Sequence, residues 1–391
     1  MKKINNNLPR GGAEWGRALR RFLSDNIVPI MFVLICAYCI PRADLSWNYL
    51  LNEGMTRLGR NAFLILSLLI PVMAGMGMNF GMTLGAMAGQ IGLIFAADWQ
   101  VWGIPGLILA AIISIPISVL LGIMIGKLLN RAKGREMITS YMIAFAMDGV
   151  YQFFVLFMMG PVIPIIHNTL KLPRGYGIRN TVSLLNMRQS LDNLLAVSVG
   201  GVKIPVLTLI IIAAACLFIL WFRRTKLGQD MRAVGQDMRA VGQDMEVARD
   251  AGINVERTRV ISMVISTVFA GFGMIIYLQN VGNFPTYTAH TQIGMFSIAA
   301  LLVGGASVEK ASIKNVFLGV ILFHTMFIVA PRTGTVITGD SMIGEYFRVF
   351  VSYAVITIAL VMYEAKKRKA KSAAGLQLAA DQLAEEEAKA K

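Results

Sequence analysis

Charge is scarce in this chain: 15% of its 391 residues are charged against 56% hydrophobic, and no formal charge falls between Asn61 and Ala97. A soluble domain of this size must cover itself with polar groups, so the composition excludes a water-exposed globule and indicates an integral membrane protein. Cysteines number three, Cys36, Cys39 and Cys216, all inside apolar stretches, which leaves no disulfide framework. Cys36-x-x-Cys39 lacks the second pair or nearby histidine that four metal ligands require, so these sulfurs are expected to pack. Histidines also number three, and His167, His290 and His324 show no metal-ligand spacing. No Gly-x-x-x-x-Gly-Lys-Ser/Thr loop occurs, and Gly126-Lys127 runs on into Leu128-Leu129, so the chain has no phosphate-cradling turn with which to hydrolyse ATP. The ten-residue alternation of a spanning β-barrel is missing too.

What is present is a series of apolar runs, at about 27–40, 60–78, 81–97, 104–126, 137–159, 204–222, 258–281, 292–306, 313–330 and 344–363. A bilayer core of roughly 30 Å needs about 20 apolar residues of helix, so the runs predict an all-α polytopic membrane protein with about ten transmembrane helices. Within these runs Asp148 is the one ionisable residue expected deep in a span, with Glu345 and Arg348 near the start of the last. That scarcity disfavours proton or ion coupling.

The 37 basic residues exceed the 22 acidic ones, for a net charge of +15, which in a soluble protein would point to nucleic acid. Here most of them lie in segments that share one side if both termini are cytoplasmic, and the positive-inside rule is then satisfied. Residues 1–26 form a basic N-terminal arm, with Trp15, Leu19 and Phe22 spaced for an interfacial helix and no small-residue cleavage site after it. Residues 27–363 form the transmembrane domain, and 364–391 a basic, then Ala/Glu-rich, cytoplasmic tail.

Two constellations stand out. Gly75, Gly77, Asn79, Gly81, Thr83, Gly85 and Gly89 crowd a region that should be two simple helices. Gly81, Gly85 and Gly89 line one helix face, which permits close backbone approach, and a glycine-rich break at mid-membrane offers polar groups to a solute. Plain packing with a short turn is the alternative. The second is the basic loop 223–259, where Gly228–Val234 is repeated identically as Gly235–Val241 and in part as Gly242–Ala248. Each copy adds about 10 Å of helix at 1.5 Å per residue, close to two turns, so a helical insert lengthens the arm without turning its face. The loop reads as a docking element for a cytoplasmic partner, or as a solvated loop beside anionic lipid.

Arg239-Ala240-Val241-Gly242, then Ala248, then Gly252-Ile253 ahead of an apolar span, resembles the cytoplasmic signature of ABC importer permeases of the branched-chain amino acid and simple-sugar family, whose members include ribose-type and nucleoside-type permeases. Ile298 to Ser307, an apolar run closed by Gly304-Gly305-Ala306-Ser307, is similar to a second motif of that family, and the stretch from Gly77 to Gly85 resembles a third. Asn79 to Gly85 is closer to the Asn-x-Gly form of amino acid and nucleoside members than to the acidic form of sugar members.

The resemblance implies a type II ABC importer permease-like bundle in a bacterial cytoplasmic membrane, moving a small polar solute of the simple-sugar, nucleoside or branched-chain amino acid class. It implies three partners: a separate ATP-binding cassette subunit that holds the ATP and docks on the 223–259 loop, a second permease subunit, identical or related, and an extracytoplasmic solute-binding protein. The chain itself needs no cofactor, catalytic residue or metal. Asn79, Phe80, Thr83 and Gln279 are the expected path residues, by polarity and position. Two other readings stand beside this one: an ion-coupled secondary transporter, and a non-transporting scaffold subunit of a membrane complex.

Overall fold

The structure is a computed structural model that describes residues 26–237, 252–307 and 310–350 and positions 248, 250, 353, 354, 357 and 361. The expected N-terminal arm, apart from Asn26, and the tail 364–391 lie outside the described residues, as do Arg239, Ala240, Val241 and Gly242.

Helices dominate. In chain order they are α1 (Ile27–Cys39), α2 (Trp47–Ser67), α3 (Leu69–Met73), α4 (Met82–Asp98), α5 (Gly103–Arg131), α6 (Glu136–Phe153), α7 (Ser190–Leu194), α8 (Val206–Phe222), α9 (Lys226–Arg232), α10 (Val255–Val281), α11 (Ile293–Val303), α12 (Ile313–Thr338) and α13 (341–350). Side chains set several of their starts. Ser46, Thr225 and Asn254 each accept a backbone N–H in the first turn of α2, α9 and α10, and Ser312 with Asn315 forms a capping box on α12. Gly282 and Gly339 end α10 and α12 in the left-handed conformation that favours glycine.

Among the described residues each apolar run read from the sequence overlaps helix, but length and composition do not confirm ten crossings. Five stretches among the described residues are long and apolar enough to cross a bilayer: Trp47–Met73, Gly103–Arg131, Glu136–Met158, Val255–Val281 and Ile313–Thr338. A sixth is Val206–Phe222 taken with Lys226–Gly235, across a bend of 80°. Ile27–Arg42, Met82–Asp98 and Ile293–Val303 are apolar but shorter. The second crossing also begins earlier than expected. Its first half carries Asn52, Glu53, Arg57 and Arg60, which dilute the apolar signal, so the sequence shows only the half after Arg60.

α10 is the hub, packed on α5, α4 and α2, while α12 packs on α2, α11 and α1. Among the described residues four small strands cap one end. β1 (Thr181–Ser183) pairs antiparallel with β4 (Asn283–Pro285), which ties the long 159–205 segment to the end of α10. β2 (Ala196–Val199) and β3 (Val202–Pro205) form a hairpin turned by Gly200 and Gly201, both at positive φ, as a two-residue hairpin loop requires. On the periphery α6 leaves Ile138, Met142, Phe145 and Phe153 exposed. Such a face is a liability in water but is what a bilayer solvates, and the chain is a multi-pass membrane protein.

Candidate functional site

The glycine-rich stretch is a broken helix. α3 ends at Met73, Gly75 and Gly77 take positive φ, and α4 restarts at Met82. Asn79 is fully buried and closes the turn, its amide donating to the Gly77 carbonyl and accepting from the Gly81 N–H. Thr83 donates its hydroxyl to the Phe80 carbonyl. Phe80 packs edge-on against Tyr141, and its N–H donates to Ser140 Oγ of α6. Gln279 is fully buried and donates to Asp192 at 3.1 Å. Asn79 and Thr83 thus spend side-chain polar atoms on their own turn, whereas Gln279 stands apart from the other three and keeps a buried Oε1 without a partner.

Asp192 of α7 is a hub that sequence reading missed. Its carboxylate accepts from Thr208 Oγ1 at 2.5 Å, from Gln279 Nε2 at 3.1 Å and from Asn280 Nδ2 at 2.7 Å. Asp192→Ala would leave three buried donors without their acceptor, an expected loss of about 2–3 kcal/mol, read as a lowered melting temperature in detergent, whereas Asp192→Asn should lose less.

The glycine faces are in backbone contact. A Cβ on Gly85 would lie 2.1 Å from the Thr267 carbonyl oxygen, and one on Gly89 would lie 2.5 Å from that of Gly271, both on α10; Gly81 faces the Met263 side chain. At the end of α11, Gly304 meets the Asn315 carbonyl of α12, and Gly305 turns the chain at φ +84°.

The first copy of the repeat is docked on the bundle. Met231 and Val234 are fully buried, and Met231 packs among Met73, Met76, Leu84 and Leu129. Gly235 and Gly75 are so close that a Cβ on either would overlap the other's backbone, at 2.4 Å and 2.8 Å. The loop therefore touches the helix break directly. Val234 also packs with Ala248 and Val255, with Ile253 against them, while Gly252 takes positive φ in the open. Most of the second copy and the start of the third lie outside the described residues.

Besides Asp192 and Asp98, buried ionisable groups gather at three places among the described residues. Arg259 pairs with Glu136 at 2.7 Å, both buried, and joins the starts of α10 and α6. His290, in the segment between β4 and α11, sits between Gln90 Oε1 at 3.0 Å and Asp148 Oδ1 at 2.7 Å. Burial pulls the His290 imidazole below its ordinary pKa, against the opposing pull of Asp148. The third place is a cavity of about 570 Å³, lined by Arg57, Arg60 and Asn61 of α2, Tyr277 of α10, Phe296 and Ser297 of α11, His324 and Phe327 of α12, and Arg348. Arg60 lies midway along the Trp47–Met73 crossing, not at its edge as the sequence indicated, and a charge at that depth costs about 2.5–3.5 kcal/mol to insert. The expectation that Asp148 is the one deep charge is corrected accordingly.

A glycine-broken helical bundle with a mid-span polar cavity and a docked loop at one end is the build of a membrane permease. The comparisons agree. Residues 53–360 match the family model of the branched-chain amino acid transport system, permease component, and the chain belongs to that family. It is 25% identical over 322 residues to the nucleoside ABC transporter permease protein NupB of Lactococcus lactis subsp. cremoris (strain MG1363), a match that covers 79% of each chain. No solved structure matches it.

Proposed function

We propose that this chain is the membrane-spanning subunit of an ATP-driven importer that moves a small polar solute across a bacterial cytoplasmic membrane by alternating access. The reading rests on the family match across residues 53–360, and the likeness to NupB favours a solute with a planar, nucleobase-like body over a sugar or a branched-chain amino acid. Both termini are cytoplasmic in this reading, and the ten apolar segments make about ten passes once the shorter helices are counted, with the glycine break between the Trp47–Met73 crossing and α4. A second permease subunit, an ATP-binding subunit beneath loop 223–259 and a solute-binding protein against the opposite end complete the complex.

The coupling route is the contact of Gly235 with Gly75. Movement of the loop by the ATP-binding subunit bears directly on the helix break, and a packed core transmits such a shift as a switch between two discrete states. The solute passes through the arginine-lined cavity in preference to the buried Asn79, Thr83 and Gln279.

Solute-stimulated ATPase activity of the reconstituted complex tests this. Arg239→Glu and Gly242→Pro are expected to reduce stimulation by at least tenfold while the complex still assembles; hydrolysis indifferent to both changes would remove the coupling assignment. An ion-coupled transporter is the second reading, favoured by the buried His290–Asp148 contact, and it requires uptake that follows a proton or sodium gradient without ATP. A scaffold subunit would show no uptake at all.

A further inference from the structure

The cavity has a charge left over. Arg57 is paired with Glu53 at 2.8 Å and Arg348 with Glu345 at 2.9 Å. Arg60 has neither ion pair nor hydrogen bond among the described residues; its guanidinium lies 5.3 Å from the centre of the Tyr277 ring, and its Nε is buried without a partner. His324 faces the same cavity, and its buried Nδ1 is likewise unpartnered. Asp192, the remaining carboxylate near Arg60, is taken up by Thr208, Gln279 and Asn280. A cation at mid-span with unused donors calls for an anion, because a charge in low dielectric is stable only when paired. Beside it the walls are flat and apolar: Tyr277, Phe296 and Phe327.

We propose that this cavity is a binding site for a small anionic solute, one that sets a carboxylate or phosphate group against Arg60 and His324 and a planar body against Tyr277, Phe296 and Phe327. The guanidinium fork suits such groups, donating two parallel N–H bonds where a lysine offers a point charge. This deepens the permease reading and rests on it for the step of transport; binding itself does not.

Orotate and uracil are suitable probes, since they share a ring and differ by one carboxylate. Binding of each is measured by equilibrium dialysis to the full-length chain in phosphatidylcholine nanodiscs, without the ATP-binding subunit, so failure here is distinct from failure of the ATPase assay. Orotate is expected to bind at least tenfold more tightly than uracil. Arg60→Gln should remove that preference and leave uracil within twofold, and Arg60→Lys should keep part of it, which guards against a simple folding loss. Equal binding of the two probes by the unaltered chain, or a preference that survives Arg60→Gln, overturns the proposal. Because a lipid headgroup offers the same anion, the assay is repeated with phosphatidylglycerol. Orotate binding retained there supports a soluble ligand, whereas its loss gives the site to lipid and overturns the solute assignment.

Discussion

Replacing Arg259 with methionine is expected to destabilise the bundle by about 3–5 kcal/mol, the usual cost of removing one partner from a buried ion pair. The guanidinium of Arg259 lies 2.7 Å from Glu136 Oε1, with side-chain exposures of 0% and 7%. It also reaches the Leu129 carbonyl at 3.5 Å, at the end of α5, where a cation is favoured by the helix dipole. One side chain thus ties together the ends of three helices next to the loop that carries the repeat. Glu136→Leu should cost a comparable amount, since it strands the cation instead. The double change Arg259→Met with Glu136→Leu should recover most of the loss, because an apolar pair of similar volume needs no desolvation of charge. Unfolding followed in detergent micelles for the four members of this cycle measures the coupling; losses that simply add would show that the two side chains do not depend on each other.

Arg259 also illustrates where the sequence is opaque. In one dimension it is another basic residue in a loop rich in them, and only the start of α10 at Val255 turns it inward. Arg57 and Arg60 were obscured for the opposite reason: they lie on an amphipathic half-helix whose buried side faces the rest of the protein, so a window average over that half falls below that of a lipid-facing span. By contrast the positions of the helices were legible, because in a bilayer the apolar run and the helix are imposed by the same requirement that backbone polar groups be satisfied internally. The number of passes was less so, since α4 and α11 are too short to show by length whether they cross. Of the candidate site, the glycines were readable as a pattern. The pairing of Asn79 with its own turn was not, since a side chain turned to a solute has the same sequence, and that of Gln279 with Asp192 was not, since hydrogen bonds between distant segments leave no periodic trace. The repeat was plain in the sequence, but the burial of Met231 and Val234 in its first copy was not.

The glycines supply the second large effect. A Cβ on Gly304 would lie 1.9 Å from the Asn315 carbonyl oxygen, and a Cβ on Gly319 would lie 1.9 Å from that of Ala300, so α11 and α12 meet backbone to backbone through a reciprocal pair. Neither obstacle is a side chain that rotates aside. Gly304→Ala or Gly319→Ala must push the helices apart, and the displacement strains the Asn315 bond to the Gly304 carbonyl, 2.7 Å long, and with it the cap of α12. Each is expected to cost about 3 kcal/mol, the upper end for overpacking, because no flexible group absorbs the strain. Gly149, in the interior of α6, is the matching control: a Cβ there meets nothing within 4 Å, so Gly149→Ala should be neutral or stabilise by up to about 1 kcal/mol through helix propensity. The same substitution thus carries opposite signs at the two places, and melting temperatures in detergent decide between them. If Gly304→Ala and Gly149→Ala behave alike, α11 and α12 are not in backbone contact, and α11 loses the close packing that holds Phe296 and Ser297 at the cavity wall.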